Sequence, residues 1–208
     1  MKMMINRRIE HLLKGIYLKA AHFILSINEY GPLKKTPPKM LINVPSAWVG
    51  LELIIEDILD RYEIERRDCI EFGVEWGYST AVFANYFKNV IGIDTFEGDD
   101  FTGNKMNHYK ETKENLSSFS NIKLIQSDYK DWIKSDNNRY NLCHIDIVHY
   151  YKETFECGLW AAKHCDCIIF HDTERFLPVR KAVIDISKLT KKQLFNYPFC
   201  NGLGIIIS

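Results

Sequence analysis

The chain has no apolar run approaching the ~18 residues that a membrane-spanning helix needs. It has no surplus of either charge: 27 basic residues face 27 acidic ones, and the formal net charge is zero. A nucleic-acid-binding face needs clustered basic charge, so no nucleic-acid partner is expected. No secretory signal precedes the six cysteines (Cys69, Cys143, Cys157, Cys165, Cys167 and Cys200), and most of them sit in apolar, strand-like runs. That usage predicts reduced core thiols in a cytoplasmic protein rather than a disulfide framework. Cys165-Asp166-Cys167 is not C-x-x-C and has no second cysteine pair, which argues for packing over a zinc or redox site. Internal repeats and low-complexity tracts are also missing. What remains is ordinary for a globular domain: 208 residues, 46% hydrophobic and 26% charged, enough for one domain with a proper core.

The stretch from Cys69 to Asp94, CIEFGVEWGYSTAVFANYFKNVIGID, organises the rest. Cys69 to Val74 reads as a buried strand, and Glu71 to Ser79 as a sharp strand-to-helix turn. Gly73 and Gly77 supply backbone angles closed to other residues and would let a ligand approach the main chain. Ser79 to Lys88 has helical spacing, with Val82, Phe83 and Phe87 on one side. Asn89 to Asp94 is a second apolar strand ending on a carboxylate. This is the plan of half a nucleotide-binding α/β domain. Asp94 lies 21 residues past Gly73, where an acid can meet ribose hydroxyls. Two phosphate-cradling patterns are missing, G-x-G-x-x-G and G-x-x-x-x-G-K-[ST]. The turn has only Gly73 and Gly77, with three residues between them, and that wider turn suits a nucleoside without phosphates.

Ahead of this unit, Ile5, Ile9, Leu12, Leu13, Ile16, Ala20 and Ile24 recur at helical steps, and Arg7, Arg8, Lys14 and Lys19 make the stretch basic. It reads as a packing helix or a homodimer contact in preference to a membrane-surface helix. Gly31 to Pro38 breaks it and forms a linker. The helix and linker take up residues 1–45, and the main domain residues 46–208. Ser46 is expected to cap a helix from about Ala47 to Arg61. Strands are expected near 69–74, 90–94, 122–126, 141–146 and 166–171, and helices near 78–88, 109–118, 129–135, 152–163 and 176–189. Gln193 to Tyr197 and Leu203 to Ile207 form a closing hairpin. The sum is an α/β, Rossmann-like fold. Its seven-stranded, mostly parallel sheet has helices on both faces and a C-terminal antiparallel hairpin.

Several segments carry a family resemblance. Glu71-x-Gly73-x-x-x-Gly77-x-Ser79 is similar to the first motif, E/D-x-G-x-x-x-G-x-S/T, of class I S-adenosylmethionine (SAM) methyltransferases. Asp94-Thr95-Phe96-Glu97-Gly98-Asp99 resembles the D-T-[FW]-E-G-D segment of one branch of that family. His144-Ile145-Asp146-Ile147-Val148-His149 resembles that branch's H-I-D-G-x-H, Ile169-Phe170-His171-Asp172-Thr173 its I-[LF]-F-H-D-T, and Gly202-Leu203-Gly204-Ile205 its terminal G-L-G-[VI]. The chain departs at Ile147, where the branch has glycine, at Asp166-Cys167, where it has Gly-Gly, and at Lys152. Trp76 is bulky for a ligand loop. These departures bear on the acceptor pocket more than on the donor site.

The resemblance implies a SAM-dependent methyltransferase acting on a hydroxyl of a small-molecule or glycan acceptor. Glu71, Gly73, Gly77 and Ser79 would shape the methionine part of the pocket. Asp94 would accept the ribose hydroxyls. Asp128 would meet the adenine amino group, or would only cap the following helix. Asp146 and Asp172 end adjacent strands, where related enzymes hold a divalent cation such as Mg²⁺; the bland reading is two loop caps. His149 is the first choice of base, beside a structural reading of equal weight. His171 could pair with either acid, and His108 sits in a loop (103–109) that reads as a lid or as an ordinary loop. A non-catalytic SAM-fold binding protein and a nicotinamide-dependent oxidoreductase are the alternatives. The second lacks its third loop glycine and its Tyr-x-x-x-Lys pair.

Overall fold

The computed structural model describes residues 20, 23–98 and 106–207. Most of the N-terminal helix with its homodimer contact, and residues 103–105 of the expected lid, lie outside the described residues.

Eight strands form one sheet: β1 (Asn28–Glu29), β2 (Asp68–Phe72), β3 (Asn89–Asp94), β4 (Ile122–Gln126), β5 (Tyr140–Ile145), β6 (Cys165–His171), β7 (Gln193–Tyr197) and β8 (Leu203–Ile207). Their order is β1-β7-β8-β6-β5-β2-β3-β4. All neighbours are parallel except β8, which runs antiparallel to β6 and β7. The helices are α1 (Ile55–Arg61), α2 (Tyr78–Ala84), α3 (Tyr109–Asn115), α4 (Tyr129–Ser135), α5 (Tyr151–His164) and α6 (Leu177–Thr190). The α/β architecture and closing hairpin are as the sequence predicts. The eighth strand is the addition. Two exposed residues carry no periodic signal, and their pairing with β7 exists only once the hairpin is in place.

The expected continuous helix from Ala47 to Arg61 is interrupted. Ser46 Oγ accepts from the amide of Trp48, Gly50 takes a left-handed φ of 103°, Leu51–Leu53 form one 3₁₀ turn, and α1 starts only at Ile55. The apolar spacing of Leu51, Ile54, Ile55 and Ile58 survives the break because all four face the core.

Strand residues alternate between two apolar layers, as a sheet buried on both faces requires. Cys69, Leu142, Ile169 and Ile205 face a layer formed with Trp48, α1 and α2. Ile70, Phe72, Cys143, Ile145, Ile168 and Phe170 face one formed with α4, α5 and α6. On α6, Val179, Val183 and Ile186 follow helical spacing on one buried stripe. All six cysteines are free thiols, five of them buried. Cys165 and Cys167 are packed into β6, and burial pushes the Cys167 thiol well up. No described helix is long and apolar enough to cross a membrane.

This topology positions the site. Strand order reverses between β2 and β5, so the loops leaving their carboxyl ends diverge and open a crevice.

Candidate functional site

A cleft of about 760 Å³ occupies that crevice. Its floor comes from the turns after β2, β3, β4, β5 and β6, and Pro45 to Trp48 form one wall.

The turn after β2 is fixed from both sides. Gly73 has φ 88°, and a Cβ there would stand 1.9 Å from the carbonyl oxygen of Asp146. Gly77 has φ 90°, and its Cβ would meet Leu116 at 2.8 Å. The positive φ angles are as the sequence predicts, and the crowding by the residue after β5 and by the residue after α3 is a further demand on the two glycines beside the expected approach of a ligand. Asp94, at the end of β3, completes the turn. Its Oδ2 accepts from the amides of Val74 (2.7 Å) and Glu75 (2.9 Å), and its Oδ1 from the amide of Phe96 (2.7 Å). Thr112 Oγ1 donates to the carbonyl of Glu75 at 2.7 Å. Glu71 is fully buried behind the turn. It accepts from Ser79 Oγ at 2.5 Å, from Thr80 Oγ1 and from His144 Nδ1 at 2.8 Å, and so locks the start of α2 to β2 and β5. Ser79 lines the cleft; Glu71 and Gly77 stand behind it.

Asp128 caps α4 by accepting from the amide of Lys130 at 2.7 Å, and it also lines the cleft. Both sequence readings of this residue therefore stay compatible with its place. His108 is buried, its Nδ1 is 3.1 Å from the carbonyl of Met106, and its ring lies 4.6 Å from that of Trp76.

Across the reversal point four side chains converge. His149 Nε2 is 2.7 Å from Oδ2 of Asp172 and 3.6 Å from Oδ1 of Asp146. His171 Nδ1 is 3.0 Å from Oδ2 of Asp146, and its Nε2 is 3.3 Å from the carbonyl of Cys200 in the β7–β8 loop. Both nitrogens of His171 face acceptors, an arrangement that suits the imidazolium. Burial lowers the pKa of His171, but the Asp146 carboxylate outweighs it and the net shift is upward. For His149, burial likewise opposes the charged form, yet hydrogen bonding to Asp146 and Asp172 raises its pKa to about 9. Burial raises the Asp146 carboxyl, but His171 and His149 hold it well below the usual carboxylate range. Asp172 sits at a left-handed φ of 64°, unusual for a non-glycine residue and a point of backbone strain. Its Oδ1 is buried with no hydrogen-bond partner among the described residues.

The metal-ligating atoms of Asp146, His149 and Asp172 all lie within 4.8 Å of one another. Two carboxylates and an imidazole, one with an oxygen uncommitted, form a donor set that fits a divalent cation. The sequence singled out the two acids as metal ligands; the structure adds the histidine. It also adds residues that carried no motif. Phe176 stacks on the His149 ring at 4.1 Å and 16°. Trp48 packs edge-on against His144 at 4.8 Å. The Cys200 carbonyl reaches His171 because Cys200 and Asn201 take left-handed angles in the hairpin loop. Nothing in the local sequence marks these three, since each depends on a partner more than 20 residues away.

No protein-family model and no curated protein matches the chain. Several solved structures share its fold. A protein assigned as an O-methyltransferase from Klebsiella pneumoniae superposes with a TM-score of 0.58 at 14% identity, over 80% of this chain and 83% of that one. The O-methyltransferase from Bacillus cereus in complex with S-adenosylhomocysteine (SAH) gives 0.52 at 14% identity, over 73% and 78%. A protein assigned as an rRNA methylase from Clostridium thermocellum gives 0.55 at 14% identity, over 80% and 99%. The likeness is one of fold, and the names of these proteins span different acceptors.

Proposed function

We propose that the chain is a SAM-dependent methyltransferase that methylates a hydroxyl of a small-molecule or sugar acceptor. One observation carries the reading. A single cleft at the strand-order reversal joins the glycine turn and Asp94 on one side to the Asp146, His149 and Asp172 cluster on the other. The SAM methyl is already electrophilic, so the protein's main task is to hold donor and acceptor in line.

In this reading the turn from Gly73 to Ser79 holds the methionine part, with Glu71 fixing Ser79 from behind. Asp94 has about four acceptor sites on its carboxylate and three are taken by backbone amides, which leaves room for one ribose hydroxyl. The adenine amino group falls to Asp128. On the opposite side the acceptor hydroxyl loses its proton as the new C–O bond forms, and His149 receives it. Asp172 orients the imidazole, and both acids stabilise the imidazolium that results. Because those acids hold His149 protonated up to about pH 9, the competent neutral form grows with pH. Asp146 and Asp172 would also hold a hard divalent cation such as Mg²⁺, with His149 either as a third ligand or as the proton acceptor but not as both, and the cation when bound supplies Lewis-acid stabilisation of the acceptor oxygen. The fold shared with the O-methyltransferase bound to SAH supports the donor assignment.

The test is calorimetry with SAM and SAH, followed by transfer from methyl-labelled SAM to a panel of hydroxylated metabolites and glycans. No SAM or SAH binding sinks the reading. Binding without turnover of any hydroxyl leaves a binding protein on this fold. Loss of activity in chelator with return on Mg²⁺ is the signature of the cation; full activity in excess chelator leaves the two acids to their histidines.

A further inference from the structure

The charges in the cleft are unevenly satisfied. Asp94 is bonded to three amides, Asp128 caps a helix, and Asp146 and Asp172 face two imidazoles. Lys130 pairs with Glu153 at 3.8 Å. Arg175 differs. It lines the cleft on the side of β6, and its guanidinium has no acidic or hydrogen-bond partner among the described residues. The neighbouring acid is committed elsewhere: Glu174 Oε1 accepts from Arg180 Nη1 at 2.5 Å and from Asn196 Nδ2 at 2.7 Å.

The residue is exposed, but its backbone is firmly placed. Its amide donates to the carbonyls of Asp172 and Asn201, both at 3.2 Å, which ties it to the strained Asp172 turn and to the hairpin loop. Its guanidinium lies 5.3 Å from the centre of the Phe176 ring, which also stacks on the imidazole of His149. Cation, phenyl ring and imidazole thus form one layered array. Arg175 also stands two residues before the start of α6, a helix of 14 residues whose N-terminus has no side-chain cap and adds positive partial charge.

We infer that Arg175 is a specificity-determining residue that reads an oxyanion, carboxylate or phosphate, on the acceptor, so that the methylated hydroxyl belongs to an anionic molecule. The inference rests on the methyltransferase reading and adds the substrate class. A guanidinium fork matches carboxylate and phosphate oxygens in pairs, and an unpaired one beside a reaction centre selects for that geometry. The Phe176 ring holds the fork a fixed step from His149, which sets the spacing between the anion and the reacting hydroxyl.

The test uses the full chain with matched acceptors: glucuronate and a sugar phosphate against glucose, and a dihydroxybenzoate against its benzyl alcohol. Binding to the SAH-loaded protein is read by calorimetry, and turnover with labelled SAM. The anionic member of a pair should exceed its neutral partner about tenfold or more in kcat/KM or in affinity. Arg175→Gln should remove that preference through KM, Arg175→Lys should keep part of it, and SAM affinity should hold in both. The carboxylate and phosphate arms tell which oxyanion is read. Equal handling of both members, an unchanged preference in Arg175→Gln, or no anionic member bound overturns the inference. So does a fall in SAM affinity in Arg175→Gln, which would place the guanidinium in the donor pocket. Absence of SAM and SAH binding to the unaltered chain is a separate result, and it fails the methyltransferase reading itself.

Discussion

The two halves of the cleft are built on different principles. The proposed donor half, at the ends of β2, β3 and β4, is a backbone construction: one carboxylate gathers three amides and two left-handed glycines admit crowded neighbours. The proposed acceptor half, at the ends of β5 and β6, is a side-chain construction, in which two acids and two histidines hold one another under the β7–β8 loop. Backbone geometry is local and tolerates little substitution. A charge cluster is non-local, and its state follows pH.

That contrast can be broken most severely at Gly73. Gly73→Val forces a side chain into the Asp146 carbonyl at a φ that β-branched residues avoid, and should cost about 3–5 kcal/mol. Urea unfolding checks it. A stable variant would mean the turn is not held against β5 as tightly as the 1.9 Å approach requires.

The next largest effect lies across the cleft. His149→Asn keeps hydrogen-bonding capacity but takes no proton, and should slow single-turnover methyl transfer about 10²–10⁴-fold while SAM affinity holds. Wild-type rate should rise with pH toward about 9, where the imidazole loses its proton, and the variant's profile should be flat. A fast His149→Asn enzyme would make the histidine an orienting group and leave proton acceptance to Asp146.

The same cluster makes stability respond to pH. The pKa of His149 is raised on folding, from 6.5 to about 9. Its contribution is therefore complete below about pH 6.5 and disappears as pH climbs through about 9. The ligand-free protein should lose on the order of 1–3 kcal/mol across that window, and His149→Gln should flatten the loss. Chemical denaturation at stepped pH measures both.

On the other side of the cleft, Asp94→Ala removes charge-assisted bonds to the turn and the proposed bond to the ribose, and should weaken SAM binding by about 1.5–3 kcal/mol. Unchanged affinity by calorimetry would move the ribose contact to another residue. The smallest effect is Asp128→Ala, about 1 kcal/mol of stability through the lost cap. A parallel fall in SAM affinity would add the adenine contact; stability loss alone would leave Asp128 as a cap.

How legible each half was follows from how it is built. Glu71, Gly73, Gly77, Ser79 and Asp94 lie within one βαβ unit, where strand, turn and helix signals fall in sequence order. Their partners Val74 and Glu75 are in the same stretch. Asp146, His149, His171 and Asp172 could be named as strand-end groups, but not their pairing, since the partner of His149 lies 23 residues on, across a strand and a helix. Gly50 explains the one misread helix: an apolar periodicity that continues through a left-handed residue looks unbroken in sequence.

By itself, then, the sequence determined the α/β order of elements, the two apolar layers and the glycine turn, because each rests on periodicity or on residues a few positions apart. Tertiary structure alone decided the eighth strand, the crowding that bars a side chain at Gly73, the pairing that sets His149 between two acids, and the distance of Arg175 from any acid among the described residues. All four depend on the strand order that brings β5 beside β2 and β6 beside the hairpin. Strand order is set by how whole layers pack, and no short window of residues encodes it.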